Sequence, residues 1–310
     1  MMQVNLKKLA LDVHATNSGT FHNAGDGHLF ALVIWNFCPN GDVPSAIHKV
    51  VRETVAERQN IRMEDPGSII QMGFSTGSCS APQFDWVRNI TNCKLLKGVV
   101  DEMDYRSSSI FALFWNLCCD LLPREIMDDF NNFFDQFNMV QMSSEKGAAK
   151  SFIAKNTTRG DYMVQVGDTE FVFSNAEMAP PAGVCAQNYA RSMHFEHQPH
   201  KFAIAWTVHR DHPPDARGHF YIGSYKMRIQ AAPNTLVVWI PSDVHGTSLQ
   251  DLNPRNLNPE FLQTGIAIVT PNQLPSVWNV FCDSEMKYEE MLSNVIRDLG
   301  DGHGDEGLES

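Results

Sequence analysis

No Cys-x-x-Cys pair occurs in the sequence, and its seven cysteines are irregularly spaced, which argues against a zinc knuckle. Cys118 and Cys119 sit in an apolar run and read as reduced core thiols, the state expected inside a nuclear or cytoplasmic protein. Long apolar runs are also missing. The longest, IFALFWNLCCDLL (110–122), falls short of the ~18 residues a spanning helix needs and is interrupted by Asn116 and Asp120. The opening MMQVNLKKLALDVHA has no apolar stretch long enough for a signal peptide. A soluble intracellular protein is therefore expected, with no membrane partner. Basic residues are few: 24 Lys and Arg stand against 36 Asp and Glu, a formal net charge of -12. Binding to nucleic acid through bulk charge is excluded, and a polyanion partner would need a local basic face.

What is present is a globular composition, 43% hydrophobic and 19% charged over 310 residues. There is no internal repeat and no Pro/Gly/Ser linker, so a single domain over 1–297, acting as a monomer, is expected ahead of a disordered acidic tail, 298–310. Charge is uneven. From Lys146 to Arg228 ten Lys and Arg outnumber seven Asp and Glu, and KGAAKSFIAKNTTR (146–159) carries four bases and no acid. Lys146, Lys150, Lys155 and Arg159 read either as a solvated loop or as an arm following a phosphate backbone.

Hydrophobic periodicity predicts helices in the first half: 45–59 with Ser45 as its cap, 107–123, and 123–137 with Ile126, Phe130, Phe133, Phe134 and Phe137 on one side. The second half predicts strands: a hairpin over 161–174 turning at Gly167-Asp168, then 201–209, 219–230, 235–240 and 264–270. Helices first and short strands later predict an α+β fold, an antiparallel sandwich or barrel backed by helices, with its core over about 160–275.

His209-Arg210-Asp211 follows the apolar strand FAIAWTV, and residues two apart on a strand share a face. His245 follows the strand TLVVWI and a Pro-Ser-Asp turn. Two imidazoles and one carboxylate on adjacent strands make a facial triad for Fe(II), with open positions for cosubstrate and oxygen. His209, Asp211 and His245 are the expected metal-binding and catalytic residues. A second His-x-Asp, His303-Gly304-Asp305, lies in the acidic tail and reads as chance. His194-Phe195-Glu196 offers the same spacing as an HxE variant; beside His197, His200 and Pro199 its preferred reading is a loop near the site mouth. Arg255, ten residues after His245, suits the distal carboxylate of 2-oxoglutarate, with the Thr247 hydroxyl and Arg191 as further cosubstrate contacts.

AIAWTVHRDHPPD, VVWIPSDVHGTSL and Arg255 together resemble the TET/JBP group of Fe(II)- and 2-oxoglutarate-dependent dioxygenases, particularly its small fungal members, over roughly residues 185 to 270. The resemblance implies a double-stranded β-helix (jelly roll) with helices packed outside. It implies iron on His209, Asp211 and His245, and 2-oxoglutarate on Arg255. It also implies oxidation of a methyl group on a base of methylated DNA, most often 5-methylcytosine, flipped into the site and consuming molecular oxygen. Members place a pyrimidine-contacting histidine about eight residues after the cosubstrate arginine, where this chain has Gln263. Asp215 stands where members carry a polar base-contacting residue. Two other readings stay open: the same chemistry on N6-methyladenine or a small molecule, and a metal-free jelly-roll interaction module.

Overall fold

The apolar run Leu29–Trp35 is buried along its first five residues, a pattern that suits a strand inside a sheet, where both backbone edges are paired. The computed structural model describes residues 5–78, 80–145, 148–155, 159–213, 216–250 and 261–301. In chain order its strands and helices are β1 (Leu11–Val13), β2 (Gly19–His22), β3 (Leu29–Trp35), α1 (Asp42–Glu57), β4 (Ser68–Ser78), β5 (Ala81–Trp86), α2 (Lys97–Leu121), α3 (Arg124–Phe137), α4 (Ala148–Lys155), β6 (Arg159–Val166), β7 (Thr169–Glu177), β8 (Ala182–Gln187), β9 (Ala203–Arg210), β10 (Phe220–Ile222), β11 (Met227–Ile229), β12 (Thr235–Trp239), β13 (His245–Thr247), β14 (Gln263–Ile268) and α5 (Leu274–Asp301).

Among the described residues the architecture is mixed: five α-helices, an antiparallel eight-stranded sheet ordered β2-β3-β12-β9-β14-β8-β4-β5, and a four-stranded sheet ordered β1-β11-β10-β13. Residue alternation divides two cores. On β9 and β12, Ile204, Trp206, Leu236 and Val238 join the helix-side core with Phe111, Phe114 and Trp115 of α2. Ala203, Val237 and Trp239 face the other way, against Val13, Ile222, Met227 and Ile229 of the smaller sheet.

The expected order of helices first and strands later is corrected, because β1 to β5 come from the first half and β2 to β5 all enter the large sheet. The hairpin expected at Gly167-Asp168 is present, but β6 and β7 form a sheet of their own. Ser45 does not cap α1. The helix begins earlier, with Gly41 at the N-cap, and the Ser45 hydroxyl donates to the Gly41 carbonyl inside the first turn. At the other end α5 continues through Asp301, and 302–310 lie outside the described residues.

His200 is a buried core histidine. It lies between Phe130 and Phe133 of α3, ring centroids 4.5 and 5.3 Å away. A carbonyl can only accept, so Nδ1–H donates to the Phe202 oxygen at 2.7 Å and Nε2 accepts from the Thr270 hydroxyl at 2.9 Å. Burial drives its pKa down from 6.5 to about 4. The unfolded chain therefore binds a proton that the folded chain refuses between these values. Stability is whole above pH 6.5 and falls as pH drops toward 4, by up to about 3 kcal/mol from this residue. Urea unfolding at a series of pH values should give a shallower acid decline for His200→Gln than for the parent. Parallel curves would remove His200 from the account.

Candidate metal centre

Between the two sheets lies a cavity of about 640 Å³, with Gln71, Thr207, Thr235, Trp239, His245 and Gln263 among its lining. On one wall, His194 pairs with His245 of β13 as an antiparallel bridge, with both N–H···O distances 2.8 Å. Glu196 N–H donates to the Pro241 carbonyl at 2.8 Å, continuing the same edge. His194 and Glu196, two residues apart in extended backbone, thus project beside His245. Close approach here needs Gly246: a Cβ on it would come 2.9 Å from the Arg191 carbonyl oxygen and 3.1 Å from the Met193 nitrogen.

One potential ligand atom from each of His194, Glu196 and His245 lies within 4.8 Å of the others, and among the described residues no other group of three or more His, Cys, Asp or Glu does so. The tautomers suit a metal. His194 Nδ1 lies 2.8 Å from the Ser192 carbonyl oxygen, and His245 Nδ1 lies 2.8 Å from that of Asp243. Each Nδ1 must carry the hydrogen, which leaves each Nε2 with a free lone pair. Burial, the largest influence, holds the His245 pKa below its ordinary value, so the ring is neutral at pH 7. The Glu196 carboxyl is drawn down to about 2, first by the neighbouring His194 imidazole and then, against the cost of burial, by Arg191. Trp239 and Phe220 wall the His245 ring, with centroids 5.7 and 5.9 Å away. The buried Trp239 indole N–H has no hydrogen-bond partner among the described residues, which leaves a donor for a cavity ligand.

Of the expected set, His209 and Asp211 lie near each other, Nε2 to Oδ2 3.9 Å, but among the described residues they do not form a ligand group with His245. The physical reason is a β-bulge. Thr264 pairs with His209 but Gly265 pairs with Thr207, leaving Val208 as the extra residue. Past the bulge the alternation of faces reverses. His209 therefore stacks on His48 of α1, with ring centroids 4.0 Å apart, and His48 Nδ1 is 2.7 Å from the Thr264 hydroxyl. Asp211 accepts from Leu262 N–H at 2.9 Å. Arg210 is the residue turned inward, and its guanidinium donates to the Gln263 side chain.

Thr247, Arg191 and Gln263 line the cavity. The Thr247 hydroxyl accepts from Arg191 N–H at 2.8 Å. Arg255, Asp215 and Lys146 lie outside the described residues, as does the Lys155 side chain. No described residue of the basic stretch lines the cavity. Lys150 instead pairs with Glu285 of α5 at 2.7 Å, and Arg159 Nε donates to the Asn175 carbonyl at 2.7 Å. Sequence reasoning overlooked Tyr189 and Asp65, whose spacing from the site carries no signal. The His194-x-Glu196 spacing was visible in the sequence.

No family model and no curated protein matches the chain. Several solved structures are distantly similar to it. NgTET1 in complex with 5mC DNA is 8% identical, covering 80% of this chain and 74% of its own, with a TM-score of 0.44. The viral collagen prolyl hydroxylase of Paramecium bursaria Chlorella virus-1, in a 2OG complex, is 8% identical over 80% of this chain and 98% of its own, with a TM-score of 0.33. An oxidoreductase of the 2OG-Fe(II) oxygenase family from Burkholderia pseudomallei is 11% identical over 78% and 87%, with a TM-score of 0.36. No helix among the described residues is long and apolar enough to cross a membrane.

Proposed function

We propose that the chain is an Fe(II)- and 2-oxoglutarate-dependent oxygenase with His194, Glu196 and His245 as its metal ligands. The observation that carries this reading is the pair of imidazoles with pinned Nδ1–H beside one ionised carboxylate on paired extended segments. That donor set suits a facial triad with open positions. The strand path agrees with a double-stranded β-helix. From β8 the chain passes through the His194–Glu196 segment beside β13, then β9, β10, β11, β12, β13 and β14, which fall alternately on the large and small sheets apart from the β10-β11 hairpin.

Bound Fe(II) with 2-oxoglutarate supplies oxygen activation, with succinate and CO2 released and one oxygen atom inserted into a C–H bond. The chain supplies the rest. His194 and His245 would present their Nε2 atoms, and Glu196 would add one negative charge. Arg255 is proposed to clamp the distal carboxylate of 2-oxoglutarate, with the Thr247 O–H free to donate to it. Phe220 and Trp239 give the metal side of the cavity an apolar wall suited to a methyl group.

For the substrate we take a methylated base, 5-methylcytosine in DNA first, with Gln263 and Asp215 in the role of base contacts and molecular oxygen as co-reactant. A small methylated molecule is the second reading. It is favoured by the placement of Lys150 against Glu285 and of the whole described basic stretch away from the cavity. The test is succinate release from 2-oxoglutarate by iron-loaded protein, followed by nucleoside mass spectrometry. Oxidised cytosine from methylated duplex supports the first reading. Turnover on free methylated nucleosides alone supports the second. No metal-dependent succinate with any substrate or uncoupled would overturn the oxygenase reading.

A further inference from the structure

Arg191 stands behind the metal carboxylate. Its guanidinium Nη1 donates to Glu196 Oε1, the same oxygen that lies 3.6 Å from His194 Nε2. Three further anchors hold it independently of Glu196. Its backbone N–H donates to the Thr247 hydroxyl at 2.8 Å, and its carbonyl accepts from Thr247 N–H at 2.9 Å, so its backbone is tied two residues beyond His245. Its Nε lies 3.7 Å from Asp65 Oδ2. Asp65 is tied in turn by the Tyr189 hydroxyl, which donates to the same oxygen at 2.8 Å. The side chains of Arg191 and Asp65 are largely buried, at 20% and 16% exposure, so the pairing is not a loose surface contact.

We propose that Arg191 is a positioning residue for the metal carboxylate: it fixes the Glu196 side chain through Oε1, beside the His194 ring, and is itself held by Asp65 and Tyr189. The proposal rests on the reading of His194, Glu196 and His245 as ligands. A carboxylate fixed by an outer partner would offer a metal one orientation instead of many, the usual effect of outer-sphere support. Asp65 offsets the guanidinium charge, so the cation can stay beside the site when a divalent ion enters. The alternative role is a counter-ion: a cation that neutralises Glu196 and must be displaced by the metal. The two roles predict opposite signs.

The experiment is a Co(II) titration of the metal-stripped full chain, read by visible absorption, with the fold of each variant checked by near-UV circular dichroism. If Arg191 positions Glu196, Arg191→Ala binds Co(II) 10- to 100-fold more weakly, the range typical of lost outer-sphere support. Arg191→Lys, which keeps the charge but loses the fork, recovers only part. Asp65→Asn and Tyr189→Phe each weaken binding by a smaller factor. Equal or tighter binding by a folded Arg191→Ala overturns the proposal in favour of the counter-ion. Should that variant not fold, Asp65→Asn decides: weaker binding supports the proposal and unchanged binding overturns it. A parent that takes up no Co(II) would bring down the metal reading itself. A parent that binds, with His245→Ala that does not and Arg191→Ala equal to the parent, would remove only the role of Arg191.

Discussion

His245→Ala should lower Co(II) or anaerobic Fe(II) affinity by more than ~100-fold, exceeding the loss from an outer-sphere residue, and succinate release should vanish with it. His194→Ala and Glu196→Ala should do the same, because three protein donors are the minimum for this kind of site. His209→Ala and Asp211→Asn should leave metal affinity within about twofold of the parent, since the bulge beside Thr264 turns His209 toward His48 of α1. Calorimetric titration of the five variants separates the two triads directly. Loss of binding in His209→Ala equal to that in His245→Ala would sink the assignment of His194 and Glu196.

Trp206→Ala should cost about 3–5 kcal/mol of folding stability, the range for an aromatic truncated in a closed core. The side chain is fully buried, packed edge-on to Phe37 with centroids 5.1 Å apart and against Phe114 at 5.6 Å. Its indole N–H donates to Asn234 Oδ1 at 3.1 Å. That Asn has a left-handed backbone, φ 52°, and also joins the turn after β3 through Cys38, accepting from its N–H at 3.1 Å and donating to its carbonyl at 2.7 Å. The substitution therefore opens a cavity and loosens a junction between β3, β9 and β12. Trp206→Phe should cost less, since the ring contacts largely remain. Urea unfolding with an unchanged m-value measures both. A loss below about 1 kcal/mol for the alanine variant would mean the core closes over the gap.

Much of this architecture is legible in the residues. The Phe spacing of 123–137 gives α3 almost to its ends, and Gly167-Asp168 marks the hairpin of β6 and β7. The strands of the second half are set off by the turn residues between them, although β12 is buried on both faces, one meeting helices and the other the smaller sheet. The early strands are harder. LFALVIW has apolar residues on both faces, so its periodicity does not separate strand from helix, and β1 and β2 are too short to show a period. At the site, the spacing rule for two residues on a strand was sound, but it holds only while the pleat is unbroken. A single extra residue at Val208 reverses it, and nothing in TVHRD announces that bulge. His194-Phe195-Glu196 obeys the rule, yet it lies in a polar segment that earns its strand geometry only by pairing with His245. Polar surroundings masked the ligand pair, and an apolar strand before His209 lent that residue a context it does not use.

The strand order of the large sheet has a consequence for how the chain assembles. β3 lies beside β12, whose residues come some two hundred positions later, while β14 enters between β9 and β8. During synthesis the early strands emerge long before their neighbours exist. β3 can pair at once with β2 on one edge, but its apolar Leu29–Val33 must wait with the other edge open until β12 is made. Joining such distant segments means closing long loops before any contact rewards it, so the sheet belongs among slowly forming topologies. The candidate metal site inherits that order. His194 and Glu196 are made early relative to their partner strand, and they acquire the third ligand only when β13 threads back beside them. A competent centre is therefore a late marker of folding, and its formation reports closure of the small sheet over the large one.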